Sequence, residues 1–109
     1  MARHERRQHR RVPFDASIRE EQLCGTQAAR AVDLSELGMR YRKPASVRDE
    51  DPREVLLRFD LAGEPVTVLG WVASQRVLRG QRETSVTFLG MQPDDEERLR
   101  RYVAGRRQK

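Results

Sequence analysis

Cysteine is almost missing from this chain: Cys24 is the only one in 109 residues. An intrachain disulfide is excluded, and a thiolate metal centre would need further ligands that no local cluster supplies. A reducing compartment, the cytoplasm, is the expected setting. Long apolar runs are missing too. No segment approaches the roughly 20 apolar residues of a membrane span. The basic N-terminus lacks the apolar stretch of a secretory signal, so no membrane insertion is expected. Aromatic residues make up only 6% of the chain, and no strand-like segment carries the aromatic face on which single-stranded nucleic acids stack. Catalytic signatures are also wanting. There is no phosphate-binding loop of the GxxxxGK[ST] type. Both histidines, His4 and His9, lie within the first nine residues, so no serine has an evident general base. An enzyme is not expected, and neither is a metal or a cofactor.

What the chain does have is charge. Charged residues make up 36% of it and apolar ones 37%, polar for a globular domain but too apolar for a disordered chain. The length suits one domain with a modest core. The net charge of +5 is unevenly placed. Residues 1–11 hold Arg3, Arg6, Arg7, Arg10 and Arg11 against Glu5, a local net of +4. Residues 98–109 hold five arginines and Lys109, preceded by the acidic run Asp94-Asp95-Glu96-Glu97. A partner for the N-terminal arm should be anionic. The arm is basic through arginine alone. That suits planar, bidentate recognition of a phosphate or of a guanine O6/N7 edge better than generic charge does.

Periodicity organises the remainder. Residues 1–11 read as a solvated arm. Val12, Phe14, Ala16 and Ile18 alternate with mostly polar neighbours, which predicts one strand over Val12–Glu20. A weaker strand is predicted over Gln27–Leu34, and another over Met39–Arg42. Lys43–Pro52 reads as a polar loop, Val55–Leu61 as a strand and Gly63-Glu64-Pro65 as a turn. A long strand over Val66–Val77 has a possible bend at Gly70. Leu78–Arg82 reads as a further turn, and Thr84–Leu89 as a β-branched strand. From Pro93 the pattern becomes helical: acids crowd the first turn, and Leu99, Tyr102 and Val103 follow at i, i+3 and i+4. Gly105 is the expected stop, with 106–109 as a basic tail. The predicted fold is mainly β, an antiparallel barrel of about six strands closed by one C-terminal α-helix, spanning residues 12–105 as one domain.

Two short motifs stand in order on this framework. Arg7 and Arg11 form an RxxxR pair just before the first strand. Asp33, Ser35 and Gly38 form a DxSxxG pattern 22 residues later. Together with Val66–Val72, Ser85–Gly90 and the acidic-to-basic terminal helix, they make the chain resemble the PilZ domain family over nearly its whole length. The resemblance implies a six-stranded barrel of PilZ type that binds cyclic di-GMP, with the arm folding over the barrel to clamp the ligand against the second motif. It implies ligand-binding roles for Arg6, Arg7, Arg11, Asp33, Ser35 and Gly38, with Arg10, His9 and Arg40 as possible additions. Asp33 would accept from the N1–H and N2–H donors of a guanine. Ser35 would offer a hydroxyl, and Gly38 either a positive φ or close approach of backbone to ligand. In such proteins the residue before RxxxR, here Arg6, influences ligand stoichiometry, and an extra guanidinium there points to two ligand molecules per chain.

The expected function is a cyclic di-GMP receptor or adaptor, monomeric or homodimeric, that signals to an unidentified downstream protein. Motility, pili, exopolysaccharide synthesis and virulence are the outputs the resemblance implies. A basic barrel for nucleic acid and a PilZ-fold adaptor that binds no nucleotide are the alternatives. Read without the resemblance, the arm is a solubilising tail, Asp33 and Ser35 form an Asx or Ser turn, and Gly38 is a turn glycine. Trp71 is read as core or barrel wall, and Cys24 as a small packed or partly exposed side chain.

Overall fold

Alternating apolar and polar side chains build the molecule from Val12 onward. The computed structural model describes residues 11–22, 25–45 and 53–107. Within them the strands are β1 (Val12–Pro13), β2 (Ser17–Gln22), β3 (Gly25–Leu34), β4 (Gly38–Pro44), β5 (Glu54–Leu61), β6 (Glu64–Leu78) and β7 (Gln81–Met91), followed by helix α1 (Pro93–Arg107). Every pairing is antiparallel. The order β3-β2-β5-β6-β7-β4 closes on itself through β3 and β4, giving a six-stranded barrel, with β1 as a short extension beside β3. Closure leaves no free lateral edge to the ring. The fold is the one expected.

The single strand predicted over Val12–Glu20 is broken. Pro13 pairs with Asp33, whereas Ser17 pairs with Arg30, a slip of one residue. Phe14 N still donates to Val32 O at 3.1 Å and Ala31 N to Ala16 O at 2.8 Å, so the break is a bulge rather than a loop. Val12, Phe14, Ile18 and Glu20 all remain on the buried side.

Two turns are tighter than expected. Glu64 and Pro65 belong to β6, and the reversal falls on Ala62-Gly63, with φ of 53° and 87°. Leu78, Gln81 and Arg82 are strand residues, and Arg79-Gly80 turns the chain with φ of 54° and 77°. Two successive positive φ values are the signature of a two-residue hairpin turn whose twist matches its strands. Lys43 and Pro44, expected in a loop, extend β4. Ala45 follows as the one described loop residue, and residues 46–52 of that predicted loop, with Cys24, lie outside the described residues. The helix runs through Gly105 to Arg107 instead of stopping at the glycine.

The core joins both ends of the sequence. Leu34, Met39, Tyr41, Leu57, Val68 and Val86 fill the barrel, and Leu99 and Val103 of α1 enter the same cluster, as the helical spacing predicted. Phe14 packs edge-on to both Phe59 and Tyr102, each at 5.7 Å between ring centroids. Arg98 fastens the helix to the β5–β6 turn through the carbonyls of Leu61 (3.4 Å) and Pro65 (3.2 Å). The interior also holds charge that the periodicity did not announce. Glu20 and Lys43 are buried, with Lys43 Nζ 2.5 Å from Glu20 Oε1 and 2.5 Å from Gln27 Oε1. The Tyr41 hydroxyl donates to Glu20 Oε2.

Candidate functional site

Asp33 owes its position to an irregularity in β3. Ala31 and Leu34 are both buried although they lie three apart, which a regular strand with period two forbids. The register explains it. Ala31 pairs with Tyr41, but Asp33 pairs with Arg40 and Leu34 with Met39, so one extra residue is accommodated at Val32. Met39 and Tyr41 face the core. Arg40 between them faces outward, and its register partner Asp33 is carried to the same outer face. A bulge that re-aims a side chain is a familiar device beside binding sites.

Two arginines converge on that carboxylate. Arg40 Nη2 donates to Asp33 Oδ2 at 2.5 Å, and Arg11 Nη1 donates to Asp33 Oδ1 at 2.9 Å. Arg11 arrives there because β1 pairs Pro13 with Asp33, which sets the end of the arm beside the end of β3. The Asp33 side chain is 10% exposed, against 42% for Arg11 and 38% for Arg40. A carboxylate offers roughly four acceptor positions. Among the described residues two are taken, so Asp33 keeps acceptor capacity there for a further donor.

Ser35 and Gly38 shape the β3–β4 turn. Ser35 N donates to Gly38 O at 2.9 Å, and Ser35 Oγ accepts from Leu37 N at 3.2 Å and Gly38 N at 3.1 Å. Ser35 is buried, so its hydroxyl is engaged with its own turn, as the plain turn reading expected. Gly38 has no positive φ. Its need is for space: a Cβ there would sit 2.2 Å from the carbonyl oxygen of Val86 on β7. The close approach expected between Gly38 and a ligand is, in this structure, an approach to a neighbouring strand.

Arg6, Arg7, His9 and Arg10 lie outside the described residues. Of the sequence-derived candidates, Arg11, Asp33, Ser35, Gly38 and Arg40 come together around the end of β3.

A second cluster flanks the first. Glu83 on β7 pairs in register with Arg42 on one side and Arg76 on the other. Arg42 Nε donates to Glu83 Oε2 at 2.9 Å and Arg76 Nε to Glu83 Oε1 at 3.0 Å. The hydrogen bond from Arg42 holds the Glu83 carboxyl below its ordinary range. Burial opposes it, and Arg76 and the charge of Arg40 reinforce it. Glu83 and Arg76 were not among the sequence-derived candidates. Charged residues on β4, β6 and β7 were the only signal, and the pairing register that joins them is not written in the sequence. Trp71 stands on the outer wall of β6, 39% exposed.

This face therefore holds two carboxylates, each shared by two guanidiniums, and is cationic overall. It suits an anion that also presents hydrogen-bond donors. Among the described residues no group of three His, Cys, Asp or Glu side chains could hold a metal ion. No helix among them is long and apolar enough to cross a membrane.

The sequence profile of the PilZ domain matches residues 5–105. The chain belongs to the PilZ domain family. Solved PilZ structures share its fold. The PilZ domain of Escherichia coli YcgR with c-di-GMP superposes with a TM-score of 0.73 at 16% identity, covering 94% of this chain and 92% of that one. The PilZ domain of CeSA from a cellulose-synthesising bacterium gives 0.64 at 19% identity, covering 88% and 96%. The Bacillus subtilis inhibitor of motility MotI gives 0.80 at 13% identity, covering 93% of this chain and 51% of MotI, so this chain spans about half of that protein's length. No curated protein sequence matches significantly. At these identities the likeness carries the fold.

Proposed function

We propose that this PilZ domain is a receptor for cyclic di-GMP that relays second-messenger level to a protein partner. One observation carries the reading: Arg11 of the first motif and Asp33 of the second, 22 positions apart, meet in one ion pair on an outer face that is cationic overall. The ligand has two phosphates and two guanines. Arginine forks suit the phosphates and the guanine O6/N7 edge. The remaining acceptor capacity of Asp33 suits the N1–H and N2–H donors. Ser35 and Gly38 support the site by holding its turn, and Arg7, with Arg10 and His9 as possible additions, completes it from the arm. Arg6 would stack on a second ligand molecule, giving two per chain. The domain acts as a cytoplasmic binding module without catalysis, as a monomer or homodimer. YcgR, whose PilZ domain is solved with c-di-GMP, supports the ligand, and MotI, an inhibitor of motility, puts motility first among the outputs.

Calorimetric titration with cyclic di-GMP tests the proposal. Binding near micromolar, about −8 kcal/mol, is the expected result, with the stoichiometry read from the same isotherm. Absence of heat at ligand concentrations of about a hundred times that dissociation constant would overturn it.

A further inference from the structure

Arg11 has two claimants. In this structure it is committed to Asp33, yet the proposed function needs its guanidinium on the ligand. When Arg11 turns to a phosphate, Asp33 loses the partner on Oδ1. Its other partner is rooted beside it. Arg40 is embedded in β4, directly across the register from Asp33, and sits between the core residues Met39 and Tyr41. Its Nη2 is 2.5 Å from Asp33 Oδ2. Its Nε is buried and finds no acceptor among the described residues. Next along the outer face, the Glu83 carboxylate feels the charge of Arg40 while bonded to Arg42 and Arg76. Arg40 therefore lies between two carboxylates on this face and bonds to one of them, Asp33.

We infer that Arg40 is a positioning residue that keeps the Asp33 carboxylate aimed when Arg11 leaves it, and that guanine selectivity depends on Arg40 through Asp33. The inference rests on the proposed function and deepens it, assigning Arg40 to Asp33 instead of to the ligand. The physical reason is rotational. A carboxylate anchored at one oxygen by a residue that departs can swing about its terminal torsion, which has broad wells. One anchored by a charge-assisted bond from the neighbouring strand is pre-organised, and preorganisation shows as affinity and selectivity.

A double-mutant cycle separates this from direct contact. Cyclic di-GMP and cyclic di-AMP are titrated calorimetrically into the unaltered chain, Arg40→Met, Asp33→Ala and the double variant, with circular dichroism to confirm folding. Arg40→Met is expected to weaken cyclic di-GMP by about tenfold or more and to cut the preference over cyclic di-AMP by a similar factor. In the Asp33→Ala background the same change should cost less than about twofold. Should Arg40→Met fail to fold, Arg40→Lys takes its place in the cycle, retaining the charge but not the fork. Equal losses in the two backgrounds would overturn the inference alone, placing Arg40 on the ligand. Failure of the unaltered chain to bind cyclic di-GMP would overturn the proposed function and the inference with it.

Discussion

Arg11 crosses 22 positions of sequence to donate from Nη1 to Oδ1 of Asp33 at 2.9 Å. The two ends of this bond differ in freedom: the arginine side chain is 42% exposed and the aspartate 10%. The cation can leave for another anion, whereas the carboxylate stays. Arg11→Ala should therefore weaken cyclic di-GMP by roughly 5- to 150-fold, the equivalent of about 1–3 kcal/mol for one bidentate contact. The ligand-free melting temperature should move by only a few degrees, because a half-exposed ion pair contributes about 1 kcal/mol or less. Titration calorimetry and thermal melts on the same samples check both statements. Unchanged affinity would remove Arg11 from the site.

Gly38 should behave in the opposite way. A methyl group there meets the Val86 backbone oxygen at 2.2 Å, and neither strand can yield without disturbing the β4–β7 ladder. Overpacking of this kind costs about 1–3 kcal/mol. Gly38→Ala should lower the ligand-free melting temperature by about 5 °C or more, measured by scanning calorimetry. A variant that melts like the unaltered chain yet binds no ligand would show that the glycine serves the ligand directly.

The buried pair Glu20 and Lys43 gives a test of the barrel interior. Their side chains are 0% and 3% exposed, with Lys43 Nζ 2.5 Å from Glu20 Oε1. Removing one member strands the other charge, at about 3–5 kcal/mol. Lys43→Met should therefore shift the urea midpoint strongly downward, whereas the pair Glu20→Leu and Lys43→Met should recover much of the loss. A double variant no better than the single would mean that the interior depends on the charges themselves.

Tyr41 makes stability sensitive to alkali. Burial first, then the charge of Glu20 and the bond to its carboxylate, drive the phenol well above its ordinary value, with Thr84 opposing in part. A folded-state pKa above the unfolded one contributes stability that is complete below about pH 10 and lost as pH rises beyond it. Phenolate absorbance from Tyr41 should appear only together with unfolding. Tyr102→Phe isolates the signal, since the chain has two tyrosines. Ionisation of Tyr41 at about pH 10 in a protein still folded by circular dichroism would contradict the buried placement.

Much of this molecule is legible in its residues. Alternation over Val55–Leu61 and Thr84–Leu89, and the i, i+3, i+4 set of Leu99, Tyr102 and Val103, reflect backbone periods of 2 and 3.6, which local sequence expresses directly. The first hairpin turn begins one residue before the predicted Gly63-Glu64-Pro65 because Ala62 carries no turn signature, and the second is confined to Arg79-Gly80 within the predicted Leu78–Arg82. The positive φ of Ala62 and Arg79 is imposed by strands on either side. Lys43 read as loop because a lysine in a barrel interior makes sense only once Glu20, 23 positions away, is opposite it.

The sequence by itself determined the two motifs on which the proposed recognition of cyclic di-GMP rests: an arginine arm, then Asp33, Ser35 and Gly38 in order. Only the tertiary structure decided how they are used. A one-residue slip at Val32 turns Asp33 onto the outer face, opposite Arg40 and beside the root of the arm. Such a slip depends on how three strands register against one another, and pairing energies between strands distant in sequence leave no period in any one of them.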